Sequence, residues 1–159
     1  MSDDPKDIIN WRRWSDKITL SGQPTEQQLS EIAALGVTHV INLGPHWNKG
    51  ALEDEAASVA DAGMEYIYIP VDFDAPTQAD FDAFEKALDA LADTKVHVHC
   101  IYNARVSAFM YKRAKLRDER AKEAFELMDG IWRPGAVWAQ LISIEPTANG
   151  KNQYLGYDY

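Results

Sequence analysis

The sequence predicts an α/β protein: a mainly parallel sheet of four to five strands with helices on both faces. Three observations carry that expectation. Short β-branched runs alternate with helical patterns four times. The strongest chemical motif stands at the end of the last such run, where parallel sheets place their ligands. The 159 residues, 46% apolar and 26% charged, suit one globular domain with an ordinary core. Residues 1–15 read as a lead-in, 16–145 as the domain, and 146–159 as an irregular Gly/Asn-rich tail.

Each element has a local reason. Trp11 and Trp14 in the lead-in are expected to cover an edge of the core. Lys17–Leu20 reads as the first strand, closed by the turn residues Ser21-Gly22-Gln23-Pro24. Thr25 and Gln28 form a capping-box pattern ahead of Leu29, Ile32 and Ala33, and Gly36 stops that helix. Val37–Leu43 is the second strand, followed by a loop at 44–50. A small-residue helix over 51–62 is expected to face inward through Leu52, Ala56, Val59 and Ala60. Met64–Pro70 is the third strand. Thr77 then caps a helix buried through Phe81, Phe84, Leu88 and Leu91. Lys95–His99 is the fourth strand, and helices follow to about Leu116, around Ala121–Met128, and from Pro134 as a first helical residue.

The motif is Val96-His97-Val98-His99-Cys100-Ile101-Tyr102-Asn103-Ala104-Arg105-Val106-Ser107. A thiol at a strand end that faces a helix amino terminus meets backbone N–H groups and a favourable dipole, which promote the thiolate. The same place binds oxyanions, and Arg105 adds a planar fork matched to phosphate or sulfate. A cation in a first helical turn opposes the dipole, so a bound anion accounts for it better than helix stability does. His97 reads as a satisfied sheet histidine, whereas His99 adjoins the nucleophile.

His99-Cys100, a short loop, Arg105 and Ser107 resemble the signature of the cysteine-dependent protein tyrosine phosphatases, especially the compact dual-specificity type. Ser21-Gly22-Gln23-Pro24, Val40-Ile41-Asn42-Leu43, and Ile69-Pro70-Val71 before an acidic loop resemble a bacterial phosphatase-like group. That group includes the phosphatase-like domain found beside β-lactamase-fold hydrolases, and the resemblance spans residues 16–117. It implies the cysteine-phosphatase fold and hydrolysis of a phosphomonoester, of phosphotyrosine type or a small molecule. Cys100 would be the nucleophile, forming a phosphocysteine. Arg105 and the loop formed by Ile101, Tyr102, Asn103, Ala104 and Val106 would bind the oxyanion. His99 would set the thiolate, and Ser107 would assist the sulfur as it leaves. Asp72 or Asp74 would be the general acid. Apart from the resemblance, His46 and Trp47 on the 44–50 loop read either as shaping the substrate rim or as ordinary surface-loop residues. No metal or cofactor is implied.

The family loop has five residues between Cys and Arg; this one has four. Either the loop is one residue shorter, or Arg105 sits one place early and Val106 takes the arginine's position. Asn103 favours the shorter loop, because it stands where a positive φ is needed and Asn tolerates one. A loop of that size also resembles the rhodanese sulfurtransferases, so a Cys100 persulfide is the alternative chemistry. An inactive oxyanion- or partner-binding module is the third.

The net charge of −9 argues against nucleic-acid partners. Seven basic residues nevertheless gather at 105–122, against Asp118 and Glu119 alone. They read as a solvated helix face or as a flank attracting an anionic substrate. No apolar run approaches the ~18 residues of a membrane span. The acidic amino end lacks a leader pattern, and one cysteine suits a reducing compartment, so a cytoplasmic address is expected. The expected partner is a phosphorylated small molecule or phosphoprotein; oligomeric state is not legible.

Overall fold

A computed structural model describes residues 4–154. Its elements in chain order are β1 (Arg12–Arg13), β2 (Ile18–Ser21), α1 (Glu26–Ala34), β3 (His39–Asn42), α2 (Glu55–Asp61), β4 (Glu65–Tyr68) and α3 (Gln78–Ala90). They continue with β5 (Val96–His99), α4 (Ala104–Arg117), α5 (Ala121–Glu126), β6 (Trp132–Arg133), α6 (Ala136–Ile142) and β7 (Gln153–Tyr154). The main sheet has five strands in the order β1-β2-β5-β3-β4, parallel except for β1. The expected α/β architecture is the observed one. No described helix is long and apolar enough to cross a membrane.

The caps behave as their chemistry dictates. The Thr25 side chain accepts the Gln28 N–H (3.1 Å) while the Gln28 side chain accepts from Thr25 N (2.9 Å). Thr77 and Asp80 repeat the arrangement at α3. On the main sheet, alternation sorts the residues onto two faces. Leu20, Ile41, Val96 and Val98 join a large cluster with Phe81, Phe84, Phe109, Trp132 and Trp138. Val40 belongs to a smaller cluster with Leu29, Ile32, Val59 and Met64. Val40 is paired with His97, so the histidines of β5 point to this second side.

Four details differ from the sequence reading. The lead-in supplies β1, whose two residues pair antiparallel with β2. The tail is not irregular throughout, since β7 pairs with β6; residues 155–159 lie outside the described part. Helix α2 starts later, after an Asp54 cap, and buries Glu55 and Val59 while Ala56 and Ala60 are exposed. Alanines carry too little apolar area to orient a helix, and a buried ion pair at Glu55 does so instead. Pro134 precedes the Gly135 cap of α6 rather than opening the helix. There the tail packs so closely that a Cβ on Gly135 would lie 2.5 Å from the Lys151 carbonyl oxygen.

The basic run is explained by packing. Arg113 pairs with Glu85 and Asp89, and Arg117 with Asp89, tying α4 to α3. Lys112 and Lys115 donate to the carbonyls of Leu141, Ile142 and Ser143 at the end of α6. These four charges belong to helix contacts and Arg120 pairs with Glu123 and stacks over Trp14, whereas Arg105 stands in the first turn of α4, at the cysteine loop.

Candidate active site

Strand β5 is the centre of the sheet and delivers Cys100 to its carboxyl edge. The chain then turns in three residues into α4. Asn103 makes that turn possible by taking φ +76°, the left-handed backbone expected of it. Its N–H donates to Cys100 Sγ (3.2 Å), and its side-chain amide donates to the Asn10 carbonyl (2.8 Å). Asn10 Nδ2 in turn donates to the Tyr102 carbonyl (2.9 Å), so the lead-in braces the loop from outside. The loop is braced from below by Gln23 N, which donates to the Ile101 carbonyl (3.0 Å). Gly22 has a physical reason to be glycine, because a Cβ there would fall 2.6 Å from that carbonyl oxygen.

Arg105 is fully buried in the first turn of α4. One Nη donates to Asn48 Oδ1 and to the Val71 carbonyl, both at 2.9 Å, and the guanidinium lies 5.6 Å from the Phe73 ring centroid. It therefore ties together the cysteine loop, the 44–50 loop and the acidic loop. Ile101 packs toward Gly44 and Gly50, closing the same junction. Ala104 and Val106 are buried in the large core cluster, so any ligand contact they make is through backbone.

His99 lies beneath the loop. Its Nδ1 donates to the Cys100 carbonyl (2.9 Å), and its Nε2 faces Glu55 Oε2 (2.5 Å). The other oxygen of Glu55 accepts from Gln23 Nε2 (2.7 Å). Burial by itself favours the neutral acid, but the His99 charge and the hydrogen bonds from His99 and Gln23 outweigh it. Together they hold the Glu55 carboxyl below its usual range. Two residues earlier, His97 is bound by hydroxyls. Ser21 Oγ donates to the Gly22 carbonyl (2.7 Å), so it accepts from His97 Nε2, and Thr19 Oγ1 meets Nδ1, both at 2.7 Å. His97 is thus neutral, and burial with the neighbouring His99 pushes its pKa well below an ordinary 6.5.

The remaining expected residues spread around this centre. Asp72 and Asp74 are both exposed on the acidic loop, flanking buried Phe73. Asp72 Oδ1 accepts from Asp74 N (3.0 Å), a turn that fixes its carboxylate to the loop. Asp74 and Arg105 both act electrostatically on Tyr154, whose ring contacts Phe73 and Tyr102. The Ser107 hydroxyl donates to the Ala104 carbonyl (3.1 Å) and accepts from Trp132 Nε1 (3.3 Å). His46 is exposed; its ring stacks 3.8 Å from Tyr68, and Nε2 meets the Tyr66 hydroxyl at 2.7 Å. It belongs to an aromatic rim on β4 rather than to the cysteine loop.

Sequence reasoning missed Glu55, Gln23 and Asn48. Glu55 follows a capping aspartate, where an acidic first turn favours any helix, and nothing local marks it as buried. Gln23 lies in the turn motif Ser21-Gly22-Gln23-Pro24, whose pattern assigns no role to its amide.

Comparison with known proteins accords with this geometry. Residues 10–113 match the family described as "Beta-lactamase hydrolase-like protein, phosphatase-like domain", and the chain belongs to that family. A beta-lactamase hydrolase-like protein of Xylella fastidiosa is 31% identical over 111 residues, covering 68% of this chain but 25% of that protein. One from Agrobacterium fabrum is 33% identical over 92 residues, 55% of this chain and 21% of its own length. The chain thus spans about a quarter of these relatives. Among solved structures, a candidate phosphatase (DUF442) from Shewanella putrefaciens CN-32 superposes with a TM-score of 0.77 at 33% identity. That match covers 91% of this chain and 95% of the other. TpbA of P. aeruginosa, solved with pTyr, shares the fold with a TM-score of 0.62 at 22% identity, covering 76% and 72%.

Proposed function

We propose that this chain is a cysteine-dependent phosphomonoester hydrolase. The observation that supports it most directly is the joint placement of Cys100 and Arg105. The sulfur accepts a loop N–H at the mouth of a helix of fourteen residues, and the guanidinium of Arg105, from the first turn of that helix, is clamped by Asn48 and the Val71 carbonyl. The Cys100 thiolate attacks phosphorus in line; the P–O ester bond breaks as the P–S bond forms. Arg105 and the loop N–H groups hold the three equatorial oxygens, whose charge the reaction must stabilise. A carboxylic acid on the acidic loop, Asp72 or Asp74, protonates the departing alkoxide. As carboxylate it then deprotonates the water that cleaves the phosphocysteine and releases inorganic phosphate. Ser107, one turn into α4, is placed to assist the sulfur at that second step only if its hydroxyl rotates from Ala104.

The substrate is a phosphorylated small molecule or phosphoprotein. The likeness to TpbA, whose structure contains pTyr, and to the S. cerevisiae PP-IP phosphatase SIW14 (TM-score 0.67, 16% identity, 89% and 88% covered) supports that class without choosing within it.

The test is p-nitrophenyl phosphate hydrolysis beside thiosulfate-to-cyanide sulfur transfer on one preparation. Phosphate release that vanishes in Cys100→Ser is the expected result. Cys100-dependent sulfur transfer without phosphate release would overturn the reading. Asp72→Asn and Asp74→Asn, assayed across pH, identify the acid: the correct substitution removes the basic limb of the rate profile.

A further inference from the structure

We infer that Glu55 is the positioning residue for the nucleophile, keeping His99 doubly protonated so that an imidazolium beneath the loop favours the Cys100 thiolate. This deepens the proposed reading and rests on Cys100 being the reactive thiol.

A carbonyl oxygen can only accept, so His99 Nδ1 must carry a proton to bond Cys100 O. Glu55 Oε2, on the other side of the ring, is a carboxylate oxygen whose companion already accepts from Gln23. With the carboxyl ionised, Nε2 carries a proton as well, and the ring is a cation. His99 and Glu55 are both buried, at 0% and 2% exposure, so this charge pair is poorly screened. A buried carboxylate without a cation would be costly, and so would the cation without the carboxylate. Each keeps the other charged.

The surroundings fit the assignment. His97, the other imidazole on this face, has its ring centroid 6.3 Å from that of His99 and is neutral, so it adds no competing cation. His46, on the 44–50 loop, and Tyr66, on β4, interact electrostatically with Glu55 from the rim. Gln23, between β2 and α1, contributes only its amide. Arg105, on α4, supplies a second positive charge at the loop. Beside the Asn103 N–H and the amino end of α4, two formal positive charges therefore lie at the loop, the clamped guanidinium and the imidazolium that Glu55 maintains. A glutamate forty-four residues before His99 thereby becomes part of the thiol's chemistry.

Because Cys100 is the sole cysteine, its ionisation can be read directly. The full chain would be titrated by the ultraviolet absorbance of the thiolate, as the difference from Cys100→Ser, and by iodoacetamide alkylation across pH in phosphate-free buffer. Glu55→Gln preserves size and is expected to raise the thiol midpoint by about one unit, or roughly tenfold less thiolate on the acid side. Glu55→Asp should recover part of the shift. In a His99→Asn background, which keeps a donor but no charge, Glu55→Gln should add nothing further.

A folded Glu55→Gln chain with the wild-type midpoint overturns the inference, and so does an undiminished effect in the His99→Asn background. If Glu55→Gln does not fold, His99→Asn alone decides: a raised midpoint supports the imidazolium and an unmoved one refutes it. None of these readouts requires turnover. A Glu55-dependent midpoint in a chain that hydrolyses no phosphomonoester would sink the phosphatase reading while leaving this inference standing.

Discussion

The two faces of the main sheet solve different problems with one strand. Val96 and Val98 of β5 point into a dry cluster in which Phe81 and Phe109 meet edge to face, their centroids 5.4 Å apart, and Trp138 packs against Phe109. Stability there comes from area removed from water and from close packing. His97 and His99 point the other way, into a polar layer of hydroxyls, one carboxylate and one amide. Both histidines are fully buried, two residues apart, yet their hydrogen-bonding partners differ in kind. Two hydroxyls let His97 stay neutral, because one accepts its proton and the other can donate. A carbonyl and a carboxylate compel His99 to donate twice. The lesson is that burial does not decide a histidine's charge; the hydrogen-bonding partners do.

That contrast can be broken on either side. The largest expected effect is on the dry face. Phe84→Ala should lose roughly 3–5 kcal/mol in denaturant unfolding, by transfer and cavity terms together. The thiol midpoint of the folded molecules should stay unchanged; a shift would mean that the faces are mechanically coupled. On the polar face, His97→Ala removes the partner of the buried Thr19 hydroxyl and leaves Ser21 Oγ only the Gly22 carbonyl, and should cost roughly 1–3 kcal/mol. It too should spare the thiol midpoint, in contrast to substitution at His99.

Acid sharpens the same comparison. Above pH 6.5 His97 is neutral in both folded and unfolded chains and contributes no pH dependence. Below it the unfolded chain takes up a proton that folded His97 refuses, so stability falls as pH falls, by up to about 1.4 kcal/mol per unit. Glu55, whose folded pKa is depressed, adds a second loss only below an ordinary 4.5, as pH falls through its folded value. Unfolding measured across pH should show the upper slope flattened in His97→Gln and the lower one retained. A remote control gives the smallest effect: Thr25→Ala removes one half of the α1 capping box and should cost about 1 kcal/mol with no change in the thiol.

Much of this was legible because it is local. The capping residues Thr25 and Thr77, the left-handed turn at Asn103, and the alternation of Val96-His97-Val98-His99 depend on neighbours within four positions. The cysteine loop followed from strand, turn and helix in immediate succession. Pairing partners were not legible. The two-residue strands β1, β6 and β7 have no pattern long enough to show a period. Arg105 was visible, but not that Asn48 and the Val71 carbonyl hold it.

The sequence by itself determined where a thiol, an arginine and a helix amino terminus would coincide, because backbone sterics and hydrogen-bond periodicity act over a few residues. Only the tertiary structure decided which histidine is charged. That choice depends on Glu55, Gln23, Thr19 and Ser21, brought from two other segments to within hydrogen-bonding distance in a layer where water no longer competes.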